Sequence, residues 1–311
     1  MDRPGPVIAA LSRRVAAFAG EFDLGERVCV GLSGGADSLA LTAASVAAGL
    51  HVHAVVVDHQ LQDGSAAVAA AAAAIATDWG ASAEVVAVNV GRSGGLEAAA
   101  RQARRAAFGR VRDGRAVLLA HTLDDQAETV LLGLARGSGP RSISGMSPWR
   151  HPWGRPLLDV RRTETEAACA ELGVDPHRDP HNADPRFTRV RVRREVLPLL
   201  EDVCHGGVAK ALARTATQIR QADAALDEIA ARLTVDSPGL GQWPSAVRTR
   251  VVRGWLAEVG ATDPGAAAIE AIDRLLCGRT PGAQVAIGGD AEHRLVAVLV
   301  GGRLQTARTP R

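Results

Sequence analysis

Val28-Cys29-Val30-Gly31-Leu32-Ser33-Gly34-Gly35-Ala36-Asp37-Ser38-Leu39-Ala40-Leu41 carries a short apolar strand into a Ser/Gly turn that opens directly into a helical pattern. Gly34 and Gly35 let the backbone approach an anion with no Cβ in the way. The helix that follows aims unpaired N–H groups and about half a positive charge at it. Such a turn is built to hold phosphate, and Asp37 at its mouth suits a magnesium ion bridging the phosphates. An ordinary strand-to-helix turn accounts for the glycines alone, but not for the whole Ser-Gly-Gly-x-Asp-Ser string. No Gly-Lys-Ser/Thr follows, so the turn is not a Walker A loop.

Around this turn the first 120 residues alternate strand-like runs (28–32, 52–57, 85–90, 116–120) with helical stretches (38–48, 65–78, 95–112). That alternation implies βαβ units and a doubly wound parallel sheet covered on both faces. Ligands of such sheets sit outside the carboxyl ends of the strands, where Ser33 lies. From 208 to 233 a long helix is expected, with Val208, Leu212, Thr215, Ile219, Ala222, Leu226, Ile229 and Leu233 recurring in a seven-residue period. The stripe fits packing along its own protein or a coiled-coil homodimer. After Ser237-Pro238-Gly239 come helical patterns at 245–259 and 264–277, then a β-hairpin with Gly288-Gly289-Asp290 between strands 284–287 and 293–300. The expected organisation is thus an α/β catalytic domain (1–207), a linker helix (208–236) and a small, mainly helical carboxy-terminal domain with a β-hairpin (237–311).

The chain has 311 residues, room for two domains, and a net charge of +2, so nucleic-acid contact must come from local clusters of charge. Lys210 is the lone lysine among 36 basic residues and Tyr is absent. We read that bias as codon preference, which weakens any argument that a given Arg was chosen for function. Cys29, Cys169, Cys204 and Cys277 form no C-x-x-C, which argues against zinc, a disulfide framework or an iron–sulfur cluster and for a reducing cytoplasm. No signal-peptide core is seen, and the apolar run 66–76 is too short to span a bilayer.

Asp58 and His59 end the second strand at the same sheet edge as Ser33. A strand-end Asp-His can also simply terminate a strand and cap the next helix. His121-Thr122-Leu123-Asp124-Asp125-Gln126-Ala127-Glu128-Thr129 follows the fourth strand and begins a helix. Thr122 and Asp125 suit a capping box, but Glu128 has no part in it. Asp125 and Glu128 share one helical face and can together enclose an ammonium group. His121 can contact phosphate or act as acid or base. Arg101 lies in a Leu96–Arg101 helical stretch, and Arg136 precedes Gly137-Ser138-Gly139. Arg186, Arg189, Arg191, Arg193 and Arg194 crowd into nine residues. In an arginine-rich chain such a cluster is also a solvated face. The 189, 191, 193 alternation would line one side of an extended segment, suited to a phosphate backbone.

The Ser33–Ser38 string resembles the PP-loop of ATP pyrophosphatases. Together with Val57-Asp58-His59, Leu96 to Arg101, His121 to Thr129, Arg136-Gly137-Ser138-Gly139, Gly145-Met146, Arg155-Pro156-Leu157-Leu158, Arg178-Asp179-Pro180-His181-Asn182 and Thr188 to Arg193, it is similar to one family, the tRNA(Ile)-lysidine synthetases. The resemblance implies a cytoplasmic, ATP-dependent ligase. It would join free L-lysine to the wobble cytidine of the isoleucine tRNA with anticodon CAU, through an adenylated cytidine, releasing pyrophosphate and AMP. Carried over by position, Ser33, Gly34, Gly35, Ala36, Asp37, Ser38, Asp58 and His59 would bind ATP and Asp37 the Mg2+. Asp125 and Glu128 would bind lysine, while Arg101, Arg189, Arg193 and His121 would act with Asp37 on the nucleotide and cytidine.

The sequence departs from the family in two places. Gln60-Leu61-Gln62 stands where Gly-Leu-Arg is usual, and an aromatic pair near 104–108 is reduced to Phe108. The carboxy-terminal region is also shorter than in the longer members. Two other readings compete. A tRNA-thiolating PP-loop enzyme would need cysteine pairs, and a catalytically silent ATP-binding module would have no reason to keep Asp37, Asp125 and Glu128.

Overall fold

The computed structural model describes residues 4–89, 91, 96–137, 139–179, 184–261, 265–278, 282–290 and 292–310. Val90, Ser138, the Pro180-His181-Asn182 part of its motif, and positions 95 and 264, where two helices were expected to start, lie outside these. By packing, the chain divides into two units between residues 217 and 218.

In the first unit β1 (Arg27–Leu32), β2 (His51–Asp58), β3 (Ser82–Ala87) and β4 (Ala116–Leu118) are parallel, in the order β3-β2-β1-β4. Two short strands missed in the sequence, β5 (Trp149–Arg150) and β6 (Trp153–Gly154), extend the sheet beyond β4; β6 is parallel to β4 and β5 antiparallel to β6. Side chains alternate across β1, so each face receives its own apolar set. Val28, Val30 and Leu32 meet Leu39 and Leu41 of α2 (Ala36–Ala47), together with Ile8, Leu11 and Val15 of α1 (Pro6–Glu21) and Ala69 and Ala72 of α3 (Ser65–Asp78). Cys29, on the opposite face, meets Phe108 of α4 (Leu96–Val111). Phe108 is fully buried, edge-on to Trp153 at 5.8 Å, so it is core and not a platform for a base.

β3 begins three residues before the apolar run that announced it. It is an edge strand, anchored at its polar start by His53, whose ring nitrogens lie 2.9 Å from Ser82 Oγ and 3.3 Å from Glu84 Oε2. Beyond β4 come α5 (Leu123–Ala135), α6 (Pro140–Ile143) and α7 (Arg162–Glu171). α1 has no capping side chain of its own. Glu171, at the end of α7, accepts from the Val7 and Ile8 N–H groups at 2.8 and 3.0 Å and supplies the cap.

The arginine-rich segment is helical, contrary to the extended conformation expected of it. α8 (Thr188–Arg191) runs through a π-helical turn (Val192–Val196) into α9 (Leu197–Val203). The apparent period of two comes from Val190 and Val192, both buried across the widened turn; Val192 and Leu197 pack on Leu123 and Ala127 of α5.

α10 (Val208–Ala230) crosses the boundary between the units. Its expected heptad stripe is packed only in part: Leu212 and Leu226 join cores, but several other members do not. Thr215 and Ala222 are exposed and Ile229 is 36% exposed, whereas Ala209, Ala216 and Ala230 are buried. Ala209, Leu212 and Ala213 follow the 3.6-residue period of a helix lying on its own domain, joining the Leu123–Leu197 cluster. In the second unit Leu226 and Ala230 share a core with Val251, Val252 and Leu256 of α11 (Ser245–Glu258) and Ile269 and Ile272 of α12 (Ala266–Leu276). A bidentate ion pair, Arg248 to Asp273 at 2.6 and 2.7 Å, ties α11 to α12. The expected hairpin is present as β7 (Val285–Gly289) and β8 (His293–Val300). A Cβ on Gly289 would fall 2.2 Å from the His293 carbonyl oxygen. An unexpected third strand, β9 (Arg303–Pro310), completes the sheet; only Leu304 of it is buried, so its sequence carries little apolar signal. No helix among the described residues is long and apolar enough to cross a membrane.

Candidate active site

Gly34 takes φ +79°, open to glycine and strained for other residues, and this turns Ser33 and Ser38 toward each other. Ser38 Oγ accepts from the Ser33 N–H at 3.1 Å and donates to the Gly35 carbonyl at 2.9 Å, so at 3.2 Å the Ser33 hydroxyl donates to it. Gly35 caps α2 with no side-chain bond to its first N–H groups, which leaves them directed at the mouth of the turn. The His177 N–H holds the Gly34 carbonyl at 2.9 Å, and a cleft of about 400 Å³ opens beside Gly34 between α3 and residues 175–178.

Asp37, in the first turn of α2, accepts from Thr165 Oγ1 and from Arg162 Nε, the latter at 3.2 Å. Burial pushes its carboxyl above the usual range, and Arg162 and Thr165 offset part of that rise. A single hard carboxylate beside a phosphate cradle fits Mg2+, which takes one or two protein carboxylates and completes its shell with phosphates and water. Among the described residues no group of three His, Cys, Asp or Glu is placed to hold a metal by itself.

Arg162 also donates from Nη2 to Asp125 Oδ1 at 2.7 Å, and its Nη1 lies 3.7 Å from Glu128 Oε1. Arg193 approaches the same pair from the π-helical turn, reaching Glu128 Oε1 at 2.6 Å and Oε2 at 3.2 Å and Asp125 Oδ1 at 3.1 Å. Arg189, one helical turn earlier, has Nη1 3.7 Å from Glu128 Oε2 and keeps 40% of its side chain exposed. The other Asp125 oxygen closes the expected capping box, accepting from the Thr122 N–H at 2.8 Å and hydroxyl at 3.0 Å. Burial pushes Asp125 up, but Arg162, the Thr122 N–H and Arg193 together outweigh it and hold the carboxyl below its ordinary value. Asp125 and Glu128 stand together on α5, and the cations beside them are the chain's own Arg162, Arg189 and Arg193. A cavity of about 260 Å³ borders Glu128, Arg162 and Arg193, walled on one side by the apolar Leu197 and Pro198.

His121 and His59 stand at the carboxyl ends of β4 and β2, each with a buried Nδ1 that meets no hydrogen-bond partner. Burial, helped by Arg155, Arg101 and Arg104 against the pull of Asp125, lowers His121 to about 4, so its imidazole is neutral at neutral pH. Burial and Arg104 lower His59 likewise. Arg101 is exposed on α4, and its charge reaches both His121 and the buried Arg155. Asp58 turns back to accept from the Gln60 N–H at 2.9 Å, which fits its strand-terminating role. At the Gln60-Leu61-Gln62 departure the Gln62 amide donates to Asp179 Oδ1 at 3.0 Å.

Sequence reasoning missed Arg162, Thr165 and Asp124. Asp124 fixes the start of α7, accepting from the Arg162 N–H at 2.7 Å and Arg161 Nε at 3.1 Å. The available signal was Arg161-Arg162 opening a helix four residues after Arg155-Pro156-Leu157-Leu158, against the preference for acids in a first turn.

A PP-loop domain model matches residues 9–200 and a TilS substrate binding domain model residues 236–304. The tRNA(Ile)-lysidine synthase of Nocardia farcinica is 56% identical over 294 residues, covering 91% of this chain and 92% of that protein. Its counterpart in Mycobacterium tuberculosis is 52% identical and covers 100% of both chains. Among solved structures, a U34-tRNA thiolase from Methanococcus maripaludis shares the fold, with TM-score 0.55 and 18% identity over 68% of this chain and 79% of that one. With relatives more than half identical along nearly its whole length, the chain belongs to the tRNA(Ile)-lysidine synthase family.

Proposed function

We propose that this protein ligates free L-lysine to C2 of the wobble cytidine of the CAU-anticodon isoleucine tRNA, with ATP as the second substrate and Mg2+ as the metal. The reading rests on family membership and on one observation: Asp37, which stands in the Ser33–Ser38 loop, meets the same guanidinium as Asp125 and Glu128, that of Arg162. A phosphate site and an ammonium site thus lie side by side. Cytosine O2 attacks the α-phosphate, the bond to the β-phosphate oxygen breaks, and pyrophosphate leaves. The lysine ε-amine, having lost its proton, then attacks C2 and AMP departs.

Ser33, Gly34, Gly35, Ala36 and Ser38 cradle the triphosphate at the amino end of α2. Asp37 would hold Mg2+, which when bound draws charge off the phosphates and the departing pyrophosphate. Asp125 and Glu128 receive a lysine ammonium, with the aliphatic stem against Leu197 and Pro198. Arg101 and Arg189 meet the nucleotide and the RNA, and Arg193 the cytidine as charge develops on it. His121, being neutral, serves as a hydrogen-bond partner to the nucleotide and not as a cation. Asp58 and His59 border the ATP site from the end of β2. The thiolation reading receives no support from a fold likeness at 18% identity.

AMP release that requires both lysine and the CAU transcript tests the proposal, with lysidine identified by mass spectrometry of the digested tRNA. Asp37→Asn should abolish AMP formation in a protein that still folds, because the amide can still accept from Thr165. Release that needs neither lysine nor tRNA would overturn the assignment.

A further inference from the structure

Among the described residues, Arg162 is the one side chain bonded to both Asp37 and Asp125. Its Nε donates to Asp37 Oδ2 at 3.2 Å and its Nη2 to Asp125 Oδ1 at 2.7 Å, while Nη1 lies 3.7 Å from Glu128. Only 21% of its side chain is exposed, and Asp125, Asp37 and Glu128 raise its pKa against burial, so it is a cation throughout the physiological range. Three carboxylates here face three guanidinium groups, those of Arg162, Arg189 and Arg193. The cluster is balanced as it stands. A further cation entering it must displace an arginine or arrive with compensating negative charge, because an uncompensated charge in a poorly solvated site is costly.

We propose that Arg162 couples the metal–nucleotide site to the lysine site by competing for both. This rests on the reading of Asp37 as the metal carboxylate and of Asp125 and Glu128 as the lysine carboxylates. A cation at Asp37 releases Nε, and with it one of the contacts that keep the guanidinium on Asp125. An ammonium at Asp125 and Glu128 releases Nη2 and loosens Nε from Asp37. Each ligand therefore removes a competitor of the other, and the triphosphate supplies the negative charge that lets the freed guanidinium turn away. Lysine then binds well only beside a loaded nucleotide. Arg162 is on this account a positioning residue whose role is read in the linkage between two binding events, which is reciprocal.

The test is calorimetric titration of L-lysine into the full-length protein, with and without saturating Mg2+ and α,β-methylene-ATP, which cannot be cleaved between the α and β phosphates. In the wild type we expect the nucleotide to tighten lysine binding by at least about five-fold. In Arg162→Ala lysine alone should bind more tightly than in the wild type, and the nucleotide should add nearly nothing. Arg162→Lys, which keeps the charge but not the fork, should fall between the two and serves if the alanine variant does not fold. Wild-type coupling retained in these variants, or lysine binding weakened by Arg162→Ala, would overturn the proposal. Lysine that fails to bind the wild type in either condition would remove the lysine-site reading itself, and the coupling with it.

Discussion

Arg193 grips Glu128 with two hydrogen bonds, Nε to Oε1 at 2.6 Å and Nη2 to Oε2 at 3.2 Å, across 65 residues of sequence. Glu128 is fully buried in α5 and Arg193 projects from the π-helical turn, so the pair fastens the arginine segment onto the helix that carries the acidic site. The same carboxylate is thus a structural tie and the proposed seat of a substrate ammonium. Glu128→Gln keeps the shape but removes the charge: its amide oxygen can still accept one Arg193 bond, the second is lost, and Asp125 is left as Arg193's carboxylate. We expect a stability loss of about 1.5 to 3 kcal/mol, the usual size of a charge-assisted bond. The KM for lysine should rise far more than that for ATP. Urea unfolding and kinetics with each substrate varied in turn measure both; equal effects on the two constants would place Glu128 outside the lysine site.

The two arginines of this segment should part company in their dependence on salt. Arg189 keeps 40% of its side chain exposed and lies 3.7 Å from its nearest carboxylate oxygen, so its charge is available to an RNA phosphate. Arg193 is committed to Glu128 and Asp125. Arg189→Ala should weaken tRNA binding and flatten the log–log salt dependence by about one unit of slope, as for a lost phosphate contact. Arg193→Ala should leave that slope unchanged while lowering turnover and stability. Filter binding across a salt series decides it, and a slope change in Arg193→Ala instead would show that the ion pair opens when RNA binds.

Where function could be read in the sequence, it was read from short-range chemistry. The Ser33–Ser38 turn, the strand-end Asp58-His59 and the Thr122–Asp125 capping box each depend on residues a few positions apart, and the helix and strand geometry follows from local preference. Arg162 was not legible because its partner Asp37 lies 125 residues away and arginine is abundant in this chain. The local signal, an arginine pair opening a helix at 161–162, does not say which carboxylate either arginine reaches. The arginine segment reads as extended because Val190 and Val192 alternate with arginines as in a strand, and the packing of Val192 on α5 selects the helix. The α10 stripe runs through Thr215, Ala222 and Ile229, which are exposed, whereas the buried positions are Ala209, Ala216 and Ala230.

His121 gives the fold a dependence on acid that can be isolated. Its folded-state pKa, about 4, lies below the unfolded value of 6.5, so between those limits the unfolded chain binds the extra proton. Stability on this account is fully present above pH 6.5 and falls as the pH drops toward 4. From pH 7.5 to 5 this one group should cost about 2 kcal/mol, by linkage applied to those two pKa values. His121→Gln cannot titrate, so its urea midpoint should fall correspondingly less than that of the wild type over the same interval. Parallel declines in the two proteins would mean that other groups carry the acid sensitivity.

The chain should tolerate a cut at the end of its first unit, after Thr217. All the chemistry proposed here lies in the first unit, and Ala209, Leu212 and Ala213 of α10 complete the apolar cluster around Leu123 and Leu197. Leu226, Ala230, Leu233 and Val235 belong instead to the core of the second unit. A chain ending near 235 would therefore carry that apolar strip with nothing to cover it, whereas one ending at Thr217 keeps the first unit's contacts and drops the rest. We expect the 1–217 protein to be soluble and to bind Mg·ATP with near-normal affinity. Its affinity for the tRNA should fall by at least about ten-fold, because the residues matching the substrate binding domain, 236–304, are gone. Calorimetric ATP titration beside filter binding of the tRNA distinguishes the outcomes. Aggregation would show that the second unit protects the first, and a soluble fragment with full tRNA affinity would confine recognition to the catalytic unit.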